Sequence, residues 1–125
     1  MTTKKKVYLA SFLAPMLIML VAWIIDGFFP FGAKSLMAVD FNAQYIGLYA
    51  YFKHLFLNGD WSSFFYSFSK SIGGGMLGIW GFNLLSPFNF LFLLFSEENF
   101  QWVVPVTIAL RYGTMGLTMT HFLVK

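Results

Sequence analysis

An uninterrupted stretch of 19 uncharged residues, Val7 to Ile25, limits the fold of this chain more than anything else in its sequence. In an α-helix such a stretch spans roughly 28 Å, close to the thickness of the hydrocarbon core of a bilayer. A cleaved signal peptide is the competing interpretation, but the apolar run exceeds the usual length and no Ala-x-Ala site follows it. The stretch therefore predicts an uncleaved transmembrane helix, bent near Pro15.

The composition supports a membrane protein for the whole chain. Hydrophobic residues make up 58% and charged residues 10%, against roughly a quarter charged residues in an average soluble domain. Two more spans are predicted over residues 76–95 and 100–124, the first interrupted by Ser86-Pro87. We therefore expect residues 1–125 to form a single all-α membrane segment with about three transmembrane helices. The net charge of +3 is too small for a nucleic-acid-binding face, so lipids and other membrane segments are the expected partners.

The orientation follows from the lysines that precede the first span. Lys4, Lys5 and Lys6 lie directly beside it, and positive charge next to a span resists translocation. The sequence thus predicts a multi-pass protein of the cell membrane with a cytoplasmic N-terminus and an extracytoplasmic loop over residues 26–75. Glu97 and Glu98, between the second and third predicted spans, then fall on the opposite side of the membrane from this loop.

An amphipathic helix is predicted within the loop, over residues 40–57. At 100° per residue, Asp40, Gln44, Gly47, Tyr51 and His54 form a polar line beside an apolar arc. Such a helix is expected to lie flat in the membrane interface, followed by a turn at residues 58–60 and an aromatic cluster at headgroup depth. The alternative is that this segment only covers the top of the helix bundle.

Four short motifs lie between the first and third predicted spans: Phe31 to Leu36, Asp40 with Gln44 and Tyr45, Tyr66 to Gly74, and Leu85 to Asn89. In their order and their residues, these motifs resemble the N-terminal part of the bacterial YfhO family, multi-pass membrane proteins grouped with the GT-C glycosyltransferases. The resemblance covers nearly all of this chain but only a small part of a typical family member. It implies a partial GT-C type bundle that is completed by the remaining helices of a longer protein and is inactive alone.

The resemblance also implies a reaction. Sugar would pass from a polyprenyl-phosphate carrier to a cell-envelope glycopolymer such as teichoic acid, with Asp40 at the place of the acidic residue that serves GT-C enzymes as catalytic base. Gln44 and Tyr45 follow in the same motif and are expected to bind substrate. From the residues alone, the N-cap of its helix is the favoured role of Asp40, because Asp is strongly preferred there.

Two cations are candidate partners for the carrier phosphate. Arg111 lies inside the third predicted span, where an ionisable residue is costly enough to suggest function, although structural pairing is the alternative. Lys70 stands between serines and a glycine run, which resembles an anion-binding nest in content. The same glycines, as Gly74-x-x-x-Gly78, also fit close helix packing.

No cofactor is predicted. His54 and His121 are far apart in sequence and no cysteine is present, so no metal site is expected either. Whether the chain is part of an enzyme depends on the resemblance, and two other classes stay open. One is a non-catalytic three-span scaffold or partner subunit, and the other is a fragment of a lipid or polymer transporter in which Arg111 lines the pathway.

Overall fold

The computed structural model describes residues 3–38, 44–68 and 73–124. Its helices are α1 (Thr3–Asp26), α2 (Ile46–Asn58), α3 (Leu77–Ile79), α4 (Leu91–Leu94) and α5 (Phe100–Leu123), and its two short strands are β1 (Tyr66–Ser67) and β2 (Gly74–Gly75). The contacts divide the chain into two units. We call Met1–Leu36 with Gln101–Lys125 the paired-helix unit, and Met37–Phe100 the loop unit.

Helix α1 covers the first predicted transmembrane segment. Lys4–Asp26 has a mean hydropathy of 2.2 and is, among the described residues, the only single helix long and apolar enough to cross a membrane. Most of its large apolar side chains are exposed in the structure, as expected for a lipid-facing surface. The helix ends at Gly27, whose φ of 70° is left-handed, and the Phe28 amide returns to the Trp23 carbonyl at 2.9 Å.

Helix α5 packs against α1 through two glycines in its second half. A Cβ atom added to Gly116 would lie 2.1 Å from the Ser11 carbonyl oxygen, and one added to Gly113 would lie 2.8 Å from the Phe12 ring. Two backbones can approach this closely only where a side chain is missing, and such small residues are typical of helix contacts in membranes.

The contacts at the two ends of this pair show that α1 and α5 run antiparallel. The Tyr8 hydroxyl lies 3.3 Å from Nδ1 of His121, so the start of α1 is beside the end of α5. At the other end, the rings of Phe29 and Trp102 meet edge to face with centroids 4.4 Å apart. The two helices therefore lie side by side along nearly their whole length.

Helix α2 contains the amphipathic pattern predicted from the sequence, and its apolar arc packs on protein. Tyr49, Phe52 and Leu55 are buried, and the Tyr49 ring stacks on Phe92 with centroids 4.1 Å apart. The helix begins at Ile46, later than predicted, and residues 39–43 lie outside the described part of the chain. It ends at Gly59, whose φ of 66° confirms the predicted turn.

The second predicted span is sharply bent in the structure. A wide turn over Trp80–Leu84 continues α3, and a single turn over Pro87–Phe90 leads into α4, so that Leu77–Leu84 and Pro87–Leu94 meet at 88°. The kink predicted at Ser86-Pro87 is thus confirmed, and it divides the segment predicted over residues 76–95 into two short helical pieces. The cause is local, because a proline has no amide hydrogen and holds the preceding residue in the extended conformation.

The amide of Asn89 fills the inside of this bend. It is fully buried, and Nδ2 donates to the Asn83 carbonyl at 2.7 Å and to the Leu84 carbonyl at 3.1 Å. These carbonyls belong to the interrupted helix, whose ladder cannot continue past the proline. A single side chain thereby satisfies the two acceptors that the bend exposes.

Candidate functional site

A cleft of about 220 Å³ in the loop unit collects several of the residues on the predicted polar line of α2. Gln44, Gly47 and Tyr51 line it, as expected from their spacing of three and four residues. The other lining residues are Leu48 beside them, Ser67 from β1, and Met76 and Ile79 from the start of the bent segment. His54, the last member of the predicted line, is exposed and does not line the cleft.

Two neighbouring contacts hold the walls of this cleft. The Tyr51 hydroxyl donates to the backbone carbonyl of Ser63, which ties α2 to the single turn that follows it. The backbone amide of Met76 donates to the Phe65 carbonyl at 2.8 Å, next to the pairing of Tyr66 with Gly75 in the two-stranded sheet. The position of Ser67 is thereby set by backbone pairing and the position of Tyr51 by its own side chain.

The lining of the cleft is mostly apolar, from Leu48, Met76 and Ile79, and it includes a few polar groups. Gln44 has an amide that both donates and accepts, Ser67 has a hydroxyl, and Tyr51 has an aromatic ring. The cleft volume is below the roughly 300–1,000 Å³ of pockets that enclose a drug-sized ligand.

Three other predicted site residues lie near the cleft in sequence. Tyr45 follows Gln44, is half-buried and does not line the cleft. Asp40 and Lys70 lie outside the described residues, so their assigned roles stay predictions. In sequence, Asp40 precedes Gln44 by four residues and Lys70 follows Ser67 by three.

Asp60 is the carboxylate whose environment the structure describes most fully. Its two oxygens accept hydrogen bonds from the hydroxyls of Ser62 and Ser63, the second at 2.7 Å. These bonds favour the ionised form and lower the pKa of Asp60 below its ordinary value of 3.8. A carboxylate already committed to the turn at the end of α2 is a poor general base, in agreement with its interpretation as a turn residue.

Arg111 belongs to the paired-helix unit. It lies near the middle of α5, half-buried, with its Nε enclosed by protein. Thr107, one turn earlier on the same helix, is 3% exposed, and its hydroxyl has no hydrogen-bond partner among the described residues. This unit also contains an apolar groove of about 350 Å³ between α1 and α5, which includes Trp23 and Trp102 and none of the predicted site residues.

Some structurally important residues were missed by the sequence analysis. Close helix packing was one of two interpretations of Gly74-x-x-x-Gly78, and a Cβ added to Gly78 would meet nothing within 4 Å. It is Gly113 and Gly116 that make such a contact, and because only two residues separate them they do not form the Gly-x-x-x-Gly motif. Asn89 was part of a quoted motif, but its role depends on a bend whose angle no sequence pattern gives.

The part of the chain that the structure describes holds no group of three or more histidine or acidic side chains placed to bind a metal ion. Comparison with known proteins gives one positive result. The chain matches the family model described as "Bacterial membrane protein YfhO" over residues 11–125. No curated protein and no solved structure matches it. Because the match spans most of the chain, from within α1 to the end of α5, this protein belongs to the YfhO family of bacterial membrane proteins.

Proposed function

We propose that this chain contributes to a membrane glycosyltransferase that moves a sugar from a polyprenyl-phosphate carrier to a cell-envelope glycopolymer such as teichoic acid. Family membership supports a bacterial membrane protein, and the sugar-transfer reaction is the step that we add. The observation that carries the proposal is the cleft lined by Gln44, Tyr51 and Ser67, because amide and hydroxyl groups beside an aromatic ring are suited to a hydroxyl-rich ligand.

Asp40 is the proposed general base. It would accept the proton of an acceptor hydroxyl as the hydroxyl oxygen bonds to the anomeric carbon of the donor sugar. The bond between that carbon and the carrier phosphate breaks in the same step, and the polyprenyl phosphate leaves with the electron pair. A positioned base of this kind contributes about 10²–10⁴-fold to such a reaction.

Lys70 and Arg111 are the proposed partners of the phosphate. Negative charge grows on the carrier phosphate as it leaves, and a lysine ammonium or an arginine guanidinium can stabilise that charge with short, charge-assisted hydrogen bonds. Gln44 and Tyr45 are the proposed sugar contacts. Membrane lipids and any further helices of the intact protein complete the site, so we expect little activity from residues 1–125 alone.

The decisive experiment compares two carboxylates in the intact protein, in cells that lack the chromosomal copy. Asp40→Asn should reduce the sugar content of the envelope glycopolymer by about 10²-fold or more while the protein still inserts, because the amide cannot take the proton. Asp60→Asn is the matched control and should leave transfer unchanged, since Asp60 is bonded within its own turn. Normal transfer by an Asp40→Asn protein would dismiss the catalytic role and favour the scaffold.

The variant Arg111→Gln distinguishes a glycosyltransferase from a transporter. If Arg111 supports the carrier phosphate, Arg111→Gln should lower sugar transfer itself, measured in opened membranes where donor and acceptor reach both faces. If the protein is instead a transporter, the same variant should transfer sugar normally in opened membranes and fail only in sealed vesicles.

A further inference from the structure

We propose that the bent segment 77–94 does not cross the membrane, and that it enters and leaves from the side on which α2 lies. Glu97 and Glu98 then emerge on the same side as the cleft lined by Gln44 and Ser67. This inference concerns the path of the chain and does not depend on the proposed reaction.

The first step is the antiparallel packing of α1 and α5. Tyr8 meets His121 at one end of the pair and Phe29 meets Trp102 at the other. Between these ends, Gly116 is in backbone contact with α1. A helix of 24 residues that lies along a membrane-spanning helix for its whole length spans the same bilayer, so α5 crosses with α1 despite the charge of Arg111.

The second step is a count of crossings. Because α1 and α5 run in opposite directions, the chain leaves α1 and enters α5 on the same side of the membrane. The intervening residues, 27–99, must therefore cross an even number of times. Among the described residues between α1 and α5, segment 77–94 is the only part long and apolar enough to form a span. If this segment crossed the membrane once, the number of crossings between α1 and α5 would be odd.

The third step is the length of each half of this segment. Leu77–Leu84 and Pro87–Leu94 each contain eight residues, which as helix rise about 12 Å, less than half of a hydrocarbon core of about 30 Å. Meeting at 88°, they cannot add their lengths along one direction. The geometry is that of two short helical pieces set nearly at a right angle, with the buried Asn89 amide closing the bend between them.

The charges of the sequence agree with this path. With two spans, Lys125 follows α5 on the same side as Lys4–Lys6, so four of the seven lysines lie on that side, while Lys34, Lys53 and Lys70 lie on the other. The chain contains five acidic residues, and the two-span path puts all of them on the other side: Asp26, Asp40, Asp60, Glu97 and Glu98. The three-span path instead puts Glu97 and Glu98 beside Lys4–Lys6 and moves Lys125 away.

The consequence is a larger set of carboxylates that share one side with the cleft. The sequence-based topology separated Glu97 and Glu98 from Asp40 by the membrane. On the two-span path all three lie on one side, and both glutamates are exposed at the short turn Glu97–Asn99. Asp40, Glu97 and Glu98 are then all candidates, besides Asp60, for a functional carboxylate on the side of the cleft.

Residues 1–125 contain no cysteine, so a direct test needs only that any cysteine elsewhere in the intact protein be replaced by serine. Three single-cysteine variants of the intact protein, Lys5→Cys, Asn58→Cys and Glu98→Cys, replace exposed residues. Each is treated with a membrane-impermeant maleimide in right-side-out and in inside-out membrane vesicles. A second set labelled after detergent treatment shows that each thiol is reactive.

The expected result is that Glu98→Cys labels in the same vesicles as Asn58→Cys, and that Lys5→Cys labels in the opposite ones. Labelling of Glu98→Cys together with Lys5→Cys would overturn the proposal, because it would require segment 77–94 to cross. Labelling of Glu98→Cys only after detergent would also overturn it, since the residue would then lie within the bilayer.

Discussion

Replacing Gly116 by alanine tests the packing on which the antiparallel helix pair depends. The added Cβ would lie 2.1 Å from the Ser11 carbonyl oxygen and 2.9 Å from Cγ of Pro15, whereas ordinary contact begins near 3.4 Å. The nearest atom belongs to a backbone, so it cannot rotate away. The helices must therefore separate locally by about 1 Å, which gives up neighbouring contacts as well.

The expected cost follows from two opposing terms. Overpacking of a well-packed contact costs about 1–3 kcal/mol, while alanine is favoured over glycine within a helix by about 1 kcal/mol. We therefore expect Gly116→Ala to lower the free energy of unfolding by up to about 2 kcal/mol. Gly113→Ala should cost less, because its added Cβ meets the Phe12 ring and the Met16 sulfur, which are side-chain atoms that can shift.

The assay is unfolding of the intact protein in mixed micelles by added SDS, followed by tryptophan fluorescence, since Trp23 and Trp102 both lie in the paired-helix unit. Gly78→Ala is the matched control, because an added Cβ there meets nothing within 4 Å. A Gly116→Ala protein as stable as the Gly78→Ala protein would refute the close approach of the two backbones.

Two further predictions address the helix pair and the bend. Cysteines placed at Tyr8 and His121 should be joined efficiently by a short bismaleimide, whereas cysteines at Tyr8 and Trp102, roughly 28 Å apart by helix rise, should not. Equal yields from both pairs would contradict antiparallel packing. Asn89→Leu should lower the free energy of unfolding by about 1–3 kcal/mol, because the carbonyls of Asn83 and Leu84 lose their donor. The same SDS titration measures this loss, with the exposed Asn58→Leu as control. A loss no larger than that of the control would argue against this role of Asn89.

Local patterns were read correctly where a single element carries them. The helix over residues 7–25, the turn at Gly59 and the kink at Ser86-Pro87 all follow from the residues present at those positions. Three members of the polar line of α2 were also identified from their spacing, and they line one cleft. The contacts between separate helices and segments could not be predicted from these local patterns.

The sequence did not indicate which residues pack against each apolar face. The aromatic residues after α2 lie together as predicted, since the ring centroid of Phe64 is 6.4 Å from that of Trp61 and 5.0 Å from that of Phe65. The sequence did not indicate that Phe64 also stacks on Trp80, with centroids 4.4 Å apart. Trp80 comes from a segment 16 residues later, and its indole donates to the Phe64 carbonyl at 2.6 Å. The identity of an apolar side chain does not show whether lipid or protein will cover it.

Hydropathy and backbone preferences act within a few residues, so the sequence indicated an apolar helix over residues 7–25 and the polar face of α2, although α1 begins earlier, at Thr3. Tertiary structure alone decided that Gly113 and Gly116 join α5 to α1, that Leu77–Leu84 and Pro87–Leu94 meet at 88°, and that Ser67 and Met76 complete the cleft. These outcomes depend on contacts between residues far apart in the chain. No local pattern encodes the direction in which one helix returns along another.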